Sequence, residues 1–508
     1  MKVTVADGAV WVLCALAFVF GAWGLHVGWT HGILDVHGWR QSHTAISVQE
    51  MLRGGPFWHY RTPIFGPPWQ WPLELPIFQW LVAISTRLFG TTLEATGRAV
   101  SVAFFIGTLA ASWVGLELFE IAPRHRPVVL ALLWVSPMYI FWSRSFMMES
   151  TALFFAVAYV ASVSRATRSP SGEPSTAALV AAAVAGALAG ATKATTFVPF
   201  LAGATAVAVL RWRQGAWTRR TAMWVGLAAF AIPLAATAAW LTFVDAQKTT
   251  NPLAAELVWS GERDQRFGSL ADRLVLRNWY ASPANAILGR TRHAVVASVW
   301  VFGAACLSLA AARRRLGLCA ICGLLYLLPI AIFMPLFVVH VYYGYENGIF
   351  LIVLLGCGIV ACLEGPPPAR WAGVALFAAA LVAMSANYLR GYYQDQTYGD
   401  TAPMTIGLLT RRMTSPSDVM LIYGLGYSPA MPYSAERRAI MDWKNRSLDD
   451  PAIRVPLDRL ASEGARIGAI VACGTARAEA TVRANIAKLG FPERPWHTEP
   501  YCDLYFKP

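Results

Sequence analysis

The sequence predicts an all-α polytopic membrane bundle, with about eleven transmembrane helices plus interfacial helices, and a small C-terminal extracytoplasmic α/β domain. Of the 508 residues, 56% are hydrophobic and only 14% are charged, whereas a soluble domain carries about 25% charged residues. Apolar runs long enough to cross a bilayer recur from residue 9 to residue 389. From about residue 395 the composition becomes that of a soluble domain. An ordinary soluble enzyme, a disordered chain and a small disulfide-stapled fold are therefore excluded.

The apolar runs define the predicted spans. They cover residues 9–26, 97–119, 127–143, 150–164, 176–192, 195–210, 221–244, 294–311, 317–338, 347–363 and 371–389. The first run follows only Lys2 and has no small-residue cleavage site after it. It therefore predicts a retained first helix and not a removed signal peptide.

The formal net charge of +13 is explained by topology. With the N-terminus inside, the predicted cytoplasmic ends of the spans carry thirteen basic residues against five acidic ones, a net charge of +8. This is the asymmetry of cytoplasmic loops in membrane proteins, so no nucleic-acid partner is expected. Arg outnumbers Lys by 36 to 6, which is typical of a GC-rich bacterial genome. We expect a multi-pass protein of the bacterial cytoplasmic membrane with its C-terminal domain outside.

This topology divides the chain into a membrane domain, residues 1–390, and an extracytoplasmic α/β domain, residues 391–508. The membrane domain has two long outer loops, 27–96 and 245–293. Cytoplasmic connections are short, and the sequence contains no Walker-type or dinucleotide-binding glycine motif. Any chemistry is therefore expected on the outer side, where nucleotides are scarce.

The first outer loop has local structure of its own. Residues 42–53 predict a short helix, and residues 75–90 predict an interfacial helix, since the segment is apolar but short. The tryptophans within and between these two predicted helices are typical of the lipid headgroup region. In the second outer loop, surface helices are expected around 253–259 and 268–279.

The C-terminal region alternates strand-like and helix-like segments. The runs VMLIYGLG, IGAIVACG and CDLYFKP predict strands, and TAPMTIGLLTRRM, PLDRLASEG and ARAEATVRANIAKLG predict helices. Its two cysteines, Cys473 and Cys502, could form a disulfide in an extracytoplasmic compartment. The pair Cys319 and Cys322 lies in an apolar span without partner ligands, so no zinc or redox role is expected.

Charged and polar residues that could carry chemistry collect at the predicted outer ends of the spans. Polar groups are costly near a bilayer, so this placement predicts one site at the outer membrane surface. Taken singly, each residue also has a plainer interpretation as a headgroup anchor, a helix cap or part of an aromatic belt. The candidates are Asp35, His37, Arg40, Gln41, His43, Arg61, Glu74, Arg144, Glu149, Lys193, His340, Tyr342, Tyr343 and Glu346.

These residue types suit a substrate with an anionic headgroup held in the bilayer. Arg and Lys bind phosphate, and a carboxylate can deprotonate an acceptor hydroxyl as it attacks. Basic groups then stabilise the departing phosphate as charge develops. Glycosyl transfer from a polyprenyl-phosphate sugar has these requirements.

The layout resembles the GT-C membrane glycosyltransferases, in particular the family-39-like branch that includes protein O-mannosyltransferases and the lipid A aminoarabinose transferase. The resemblance rests on DVHGWRQSHTAIS followed by TPIFGPPWQWPLELPIFQWLVA, on an acid after the third span (Glu149) and on a Lys after the fifth (Lys193). A late His/Tyr-rich loop, HVYYGYEN, and an outer C-terminal domain add to it. It covers most of 1–390, with an H-x-[WF]-R-Q signature typical of a bacterial subgroup.

The resemblance implies an inverting transferase with a first-loop carboxylate as base. Better-known members carry adjacent Asp-Glu where this chain has Arg40-Gln41, so Asp35 becomes the implied base and Glu149 its acidic partner. Glu74 and His43 are the alternatives for the base. The implied substrate-binding residues are His37, Arg40, Gln41, Arg61, Arg144, Lys193, His340, Tyr342, Tyr343 and Glu346.

The implied partners are a polyprenyl-phosphate sugar donor, membrane lipids and a lipid, glycan or protein hydroxyl as acceptor. No cofactor is certain, although some relatives hold a divalent metal between outer carboxylates, as Asp35 and Glu149 with a histidine could. Two other functions stay open at this point. One is a transporter or flippase of lipid-linked glycans, which should show mid-membrane polar groups and repeated broken helices. The other is a glycan polymerase or ligase.

Overall fold

A computed structural model describes residues 5–168, 173–215, 217–258, 261, 263–280, 315–398 and 401–507. The chain divides into two compact units. Unit 1 comprises Met1–Trp29, Arg98–Ala239 and Arg263–Thr397, and unit 2 comprises Thr30–Gly97, Trp240–Glu262 and Tyr398–Pro508. The predicted division into 1–390 and 391–508 stays a prediction.

Six helices of the described residues are long and apolar enough to cross a membrane. Three shorter apolar helices accompany them, Ile77–Phe89, Thr176–Thr192 and Leu316–Ile332. Together they confirm the predicted class, a polytopic helical membrane protein. The six are Val5–His26, Leu93–Phe119, Ala194–Arg213, Arg219–Lys248, Val341–Leu363 and Pro367–Arg390.

Several predicted spans differ in detail from the observed helices. The run 127–143 forms two helices, Arg126–Val135 and Pro137–Trp142, because Ser136 is extended before Pro137 and a residue before proline disfavours the helical region. The run 317–338 forms Leu316–Ile332 and Met334–Val339. The run 150–164 forms the 18-residue helix Glu149–Ala166. The predicted span 294–311 lies outside the described residues.

The long helix Arg219–Lys248 is not uniform. A π-helical turn, Gly226–Ala231, separates Arg219–Val225 from Ile232–Lys248. Short helices follow among the described residues of unit 1, and two of them, Leu270–Leu274 and Leu276–Tyr280, replace the surface helix expected around 268–279. The short helices are Arg263–Phe267, Leu270–Leu274, Leu276–Tyr280 and Tyr392–Gln396, with 3-10 turns at Leu116–Phe119, Pro123–His125 and Val341–Tyr343.

Unit 2 contains a five-stranded sheet. Its strands are β1 (Val419–Tyr423), β2 (Arg438–Asp442), β3 (Ile467–Cys473), β4 (His497–Thr498) and β5 (Cys502–Phe506), in the order β2-β1-β3-β5-β4. β1 runs parallel to β2 and β3, and β5 runs antiparallel to β3 and β4. β1 is buried along its whole length, as expected of a parallel strand covered on both faces. The predicted C-terminal α/β fold is confirmed.

Helices of unit 2 come from all three of its chain segments. The first-loop helix, Gly38–Leu52, begins four residues earlier than predicted, and the predicted interfacial segment forms Ile77–Phe89. The remaining helices are Pro252–Ala255, Ala402–Met413, Ala430–Ala435, Pro451–Ser462 and Ala480–Lys488, with a 3-10 turn at Gly474–Ala478.

The first outer loop extends the sheet at β2. The backbone N–H of Ala439 donates to Pro63 O (2.8 Å), that of Met441 to Ile64 O (2.8 Å) and that of Gly66 to Ala439 O (3.1 Å). Gly66 has a φ of +77°, and a Cβ there would lie 2.8 Å from Pro456 Cβ, so this close approach requires glycine. The edge of β2, which would otherwise present unpaired backbone groups, is thereby covered.

Cys473 and Cys502 form a disulfide. They are register partners across the antiparallel pair β3 and β5. The pairing that the sequence left open is therefore present in the structure.

Candidate active-site residues in the two units

Unit 1 contains a buried cluster of Glu149, Lys193 and Glu346. Lys193 is an extended residue between helices Thr176–Thr192 and Ala194–Arg213, and its Nζ lies 2.8 Å from Glu149 Oε1 and also pairs with Glu346. The side chains of Glu149 and Glu346 are 1% and 0% exposed. Burial at this level requires such pairing.

Helix ends help to place both carboxylates. Glu149 lies in the first turn of Glu149–Ala166, and Glu346 lies in the first turn of Gly344–Leu363. The N-terminal end of a helix carries partial positive charge, which stabilises an acid there. Glu149 Oε2 accepts no hydrogen bond from the described residues, so this buried oxygen has capacity for a proton or a substrate hydroxyl.

Aromatic side chains line the ammonium of Lys193. Its Nζ lies 4.5 Å from the ring centre of Tyr343 and 5.1 Å from that of Tyr342, distances that permit cation–π attraction. The His340 ring stacks on Tyr342 at 5.4 Å. The structure thus brings four predicted residues of unit 1 around one ammonium group, with His340 stacked on one of them.

Arg144 has a different environment. It is buried, and its guanidinium donates to Gly28 O at 2.8 Å. A guanidinium bonded to a turn carbonyl holds that turn in place. Its predicted role in substrate binding stays a prediction.

The acids around Glu149 do not resemble a metal site. Among the described residues, no group of three or more His, Cys, Asp or Glu side chains is arranged to hold a metal ion. The cation in contact with both Glu149 and Glu346 is the Lys193 ammonium. A divalent ion at these two carboxylates would meet that charge at short range, so the Glu149–Glu346 pair does not fit a divalent ion. The metal that the family resemblance allows at Asp35 and Glu149 with a histidine stays a prediction.

In unit 2, Asp35 and His37 precede the first-loop helix. Asp35 O accepts from the Gly38 N–H at 2.9 Å, and its carboxylate accepts from the Gln41 side-chain amide. His37, the N-cap residue, has a φ of 54°. The HGWRQ segment therefore forms the start of a helix, with the Asp35 carboxylate beside its positive end.

Arg40, His43 and Glu74 come together further along. Arg40 Nη2 lies 3.0 Å from Glu74 Oε2, and Gln79 Nε2 donates to Glu74 Oε1 at 3.1 Å. Arg40 Nη1 is 2.9 Å from His43 Nδ1. Both carboxylate oxygens of Glu74 and one nitrogen of His43 are thus engaged.

Tyr60 bonds to the backbone on either side of the Leu73–Glu74 peptide. Its hydroxyl donates to Glu74 O at 3.2 Å and accepts from the Leu73 N–H at 2.8 Å. Burial raises the pKa of Tyr60 well above its ordinary value, so the hydroxyl remains a donor. It fixes the backbone that carries Glu74.

A further charged group in unit 2 was not predicted. Glu50 is buried, and its carboxylate lies 2.6 Å from Arg438 Nη2 and 3.5 Å from Arg61 Nη1. The signal available in the sequence was periodicity, because His43, Ser47 and Glu50 recur at the i, i+4, i+7 spacing of one helix face. Arg61, predicted to bind substrate, is therefore an ion-pair partner of this helix.

The structure thus gathers the candidates into two groups, one in each unit. The unit 1 group comprises Glu149, Lys193, His340, Tyr342, Tyr343 and Glu346, with Arg144 bonded elsewhere. The unit 2 group comprises Arg40, His43 and Glu74, preceded by the Asp35–Gln41 contact and His37, while Arg61 pairs with Glu50.

Comparisons with known proteins gave matches at the level of structure. No protein-family model matches the sequence, and no curated protein matches it either. ArnT from Cupriavidus metallidurans in the apo state superposes with a TM-score of 0.63 at 13% identity, over 99% of this chain and 98% of that chain. The structure of ArnT bound to undecaprenyl phosphate gives a TM-score of 0.62 at 14% identity, over 98% of each chain.

Two further membrane transferases share the fold over part of their length. The oligosaccharyltransferase AglB from Archaeoglobus fulgidus, solved with an inhibitory peptide and a dolichol-phosphate, gives a TM-score of 0.52 at 10% identity, over 91% of this chain and 69% of that one. The mycobacterial arabinofuranosyltransferase AftD gives 0.50 at 16% identity, over 97% of this chain and 40% of that one. The chain therefore has the fold of the GT-C glycosyltransferases, as its sequence predicted, and over nearly its full length that of ArnT.

Proposed function

We propose that the protein is an integral-membrane glycosyltransferase that moves a sugar from a polyprenyl-phosphate donor to an extracytoplasmic hydroxyl acceptor. One observation carries the proposal: the chain shares its fold from end to end with ArnT, a protein whose structure is also known bound to undecaprenyl phosphate. The dolichol-phosphate in AglB is a lipid of the same chemical class. Buried acids and cations in both units supply groups for such chemistry.

The reaction needs a base and a stabilised leaving group. The acceptor hydroxyl loses its proton to a carboxylate as its oxygen bonds to the anomeric carbon. The bond from that carbon to the phosphate oxygen breaks, and the electron pair leaves with polyprenyl phosphate. A single displacement of this kind inverts the anomeric centre.

Hydrogen bonding narrows the choice of base. Glu74 has one oxygen on Arg40 and the other on Gln79, and His43 uses the Nδ1 lone pair to accept from Arg40. Asp35 and Glu149 are the better candidates. We propose Asp35 as the base, as the family resemblance implies, because the Gln41 amide holds its carboxylate beside the start of the first-loop helix. Glu149, whose Oε2 accepts no hydrogen bond from the described residues, is proposed as the acidic partner.

Lys193 is proposed to assist substrate binding by hydrogen bonding. An ammonium has three N–H groups, and two are directed at Glu149 and Glu346. Two carboxylates against one ammonium give the cluster an acidic character. This favours contact with a sugar hydroxyl over contact with phosphate.

The proposed location is the bacterial cytoplasmic membrane, with the N-terminus inside and the C-terminal α/β domain outside. The basic residues at the predicted cytoplasmic ends support it. The test is labelling of Gln214→Cys and Ser462→Cys in intact cells with a membrane-impermeant maleimide. Labelling at 462 and protection at 214 are expected, and the opposite pattern would contradict the topology.

Activity is tested with purified protein in lipid nanodiscs and a panel of radiolabelled polyprenyl-phosphate sugars, with cell-envelope extract as acceptor. Release of polyprenyl phosphate from one donor is expected, with at least a hundred-fold loss in Asp35→Asn, since positioned general bases contribute about 10²–10⁴ in rate. Asp449→Asn, an exposed acid paired with Lys488, is the matched control. Release retained in Asp35→Asn but lost in Glu149→Gln would move the base to Glu149. No release from any donor would favour transport or glycan ligation.

A further inference from the structure

Two buried N–H groups in unit 2 lack an acceptor. His43 is 1% exposed and Trp71 is 3% exposed, and their rings are perpendicular with centroids 4.6 Å apart. Within the described residues, neither His43 Nε2 nor Trp71 Nε1 has a hydrogen-bond partner. Nearly all buried polar atoms in proteins are paired, so two adjacent donors without an acceptor among the described residues indicate a site for ligand oxygen atoms.

Arg40 determines which nitrogen of His43 carries the proton. A guanidinium has only donors, so the 2.9 Å contact between Arg40 Nη1 and His43 Nδ1 requires Nδ1 to accept. The neutral imidazole then carries its proton on Nε2. Burial, with the charges of Arg40 and Lys248 adding to it, also holds the pKa of His43 well below its usual value. His43 is therefore a hydrogen-bond donor and not a base.

The charges nearby are already paired. Arg40 lies 3.0 Å from Glu74, and Lys248 lies 3.8 Å from Asp245 while donating to Leu257 O at 2.9 Å. A phosphate is bound best by unpaired cations. Two neutral N–H donors suit a neutral oxygen instead, such as a hydroxyl, a ring ether or a carbonyl.

Aromatic side chains adjoin this donor pair. The Tyr427 ring lies 5.6 Å from Trp71, 6.3 Å from Trp39 and 6.1 Å from Trp443. Tyr427, Trp39 and Trp443 are only partly buried. Such rings combine an apolar face with a polar edge, and the face suits the C–H side of a sugar ring.

We propose that the N–H groups of His43 and Trp71 bind oxygen atoms of a sugar ring, with Trp39, Tyr427 and Trp443 supplying aromatic contact surface. The inference rests on the proposed glycosyl transfer and adds the residues that recognise the sugar. The same chemistry would serve the donor's sugar or a glycan acceptor. It makes His43 and Trp71 positioning residues.

Trp71→Phe tests the proposal because it removes the N–H and keeps an aromatic ring. If the Trp71 ring only fills space in the core, the substitution changes thermal stability alone, because the smaller ring packs less fully. The proposal predicts in addition a roughly five-fold rise in KM, the worth of one neutral hydrogen bond. If the bound sugar ring belongs to the donor, the KM of the sugar-bearing donor rises. If the ring belongs to the acceptor, the KM of the acceptor rises. The dissociation constant of undecaprenyl phosphate, which has no sugar, should not change.

Trp69→Phe is the matched control. Trp69 is also buried in unit 2, but its Nε1 donates to Glu463 at 3.3 Å, so the variant should lose thermal stability and keep both KM values. At His43, glutamine can still accept from Arg40 and donate one N–H, whereas leucine can do neither. His43→Gln should therefore retain more affinity than His43→Leu.

Three results would overturn the inference. Trp71→Phe could weaken the binding of undecaprenyl phosphate and of the sugar-bearing donor equally, which would show that the two N–H groups contact phosphate. The substitution could leave every affinity unchanged, which would show that the two N–H groups bond to water. Wild-type protein that neither binds undecaprenyl phosphate nor releases it from any donor would defeat the proposed function itself, and the sugar contact with it.

Discussion

Replacing Lys193 by methionine would leave two acids buried without their cation. The stem of the side chain is kept, but Glu149 and Glu346 lose the ammonium that pairs with both. These carboxylates are 1% and 0% exposed, so water cannot replace the lost partner. We expect Lys193→Met to be strongly destabilising.

The loss of folding free energy in Lys193→Met has a lower and an upper bound. Removing one partner of a buried ion pair costs about 3–5 kcal/mol. A stranded carboxylate can escape by taking up a proton. For an ordinary glutamic acid of pKa about 4.3 this costs about 3.7 kcal/mol at pH 7. Two such protonations set a ceiling of roughly 7 kcal/mol. The expected loss is therefore about 3–7 kcal/mol.

The pH dependence follows from the same arithmetic. At pH 5.3 one protonation costs only about 1.4 kcal/mol, so the ceiling falls to roughly 3 kcal/mol. The variant should recover relative to wild type as the pH is lowered. Melting temperatures in lipid nanodiscs at pH 7 and pH 5.3 measure both effects.

Two further variants separate charge from packing. Lys193→Met combined with Glu149→Gln and Glu346→Gln has no buried charge left in the cluster, so it should regain most of the stability while remaining inactive. Lys248→Met removes another buried lysine, whose acidic partner Asp245 is 30% exposed, and should cost less. A Lys193→Met protein that melts with wild type, or that gains nothing from acid or from the two glutamines, would refute the reasoning.

Three other perturbations have defined outcomes. His43 has a lowered pKa in the fold, so protons bind the unfolded chain more readily. Stability should fall below about pH 6.5, by about 1.4 kcal/mol at pH 5.5 relative to His43→Gln, read from paired melting curves. The Cys473–Cys502 bridge closes a loop of sequence separation 29, so Cys473→Ala with Cys502→Ala should cost about 3.5 kcal/mol in unit 2, with the loss reproduced by reductant in thermal melts. Asn251 Nδ2 donates to three carbonyls of residues 65–67 and its Oδ1 accepts two N–H groups. Asn251→Leu should therefore open that loop to protease at least ten-fold faster while unit 1 sites keep their cleavage rate.

Local signals in the sequence were enough for most helices. The predicted span 176–192 matches the helix Thr176–Thr192, which Ser175 caps at its first turn and which ends before Lys193. The break before Pro137 was missed, since a search by hydropathy joins two apolar helices across one extended serine. The order of the predicted spans also placed Glu149, Lys193 and Glu346 at the outer ends of their helices. Their mutual contact is a property of helix packing.

Strand β2 shows what hydropathy could not predict. Arg438–Asp442 contains only three apolar residues between charged ones, a pattern too short to stand out. It forms because β1 lies on one side and residues 63–66 on the other. Pairings between segments nearly 400 positions apart carry no local signature, and the Glu50–Arg438 ion pair is of the same kind.

The first outer loop owes its shape to contacts with the C-terminal domain. Its helix is held by Glu50 on Arg438, by Gln49 Nε2 donating to Tyr433 O at 3.4 Å and by Arg53 Nη2 donating to Glu436 O at 2.9 Å. Arg40 and His43 belong to the same helix, so their positions depend on contacts made ten residues later along it. Residues of the C-terminal domain therefore set the geometry of the loop. A substitution of Arg438 should lower activity by displacing Arg40 and His43, even where the C-terminal domain itself stays folded.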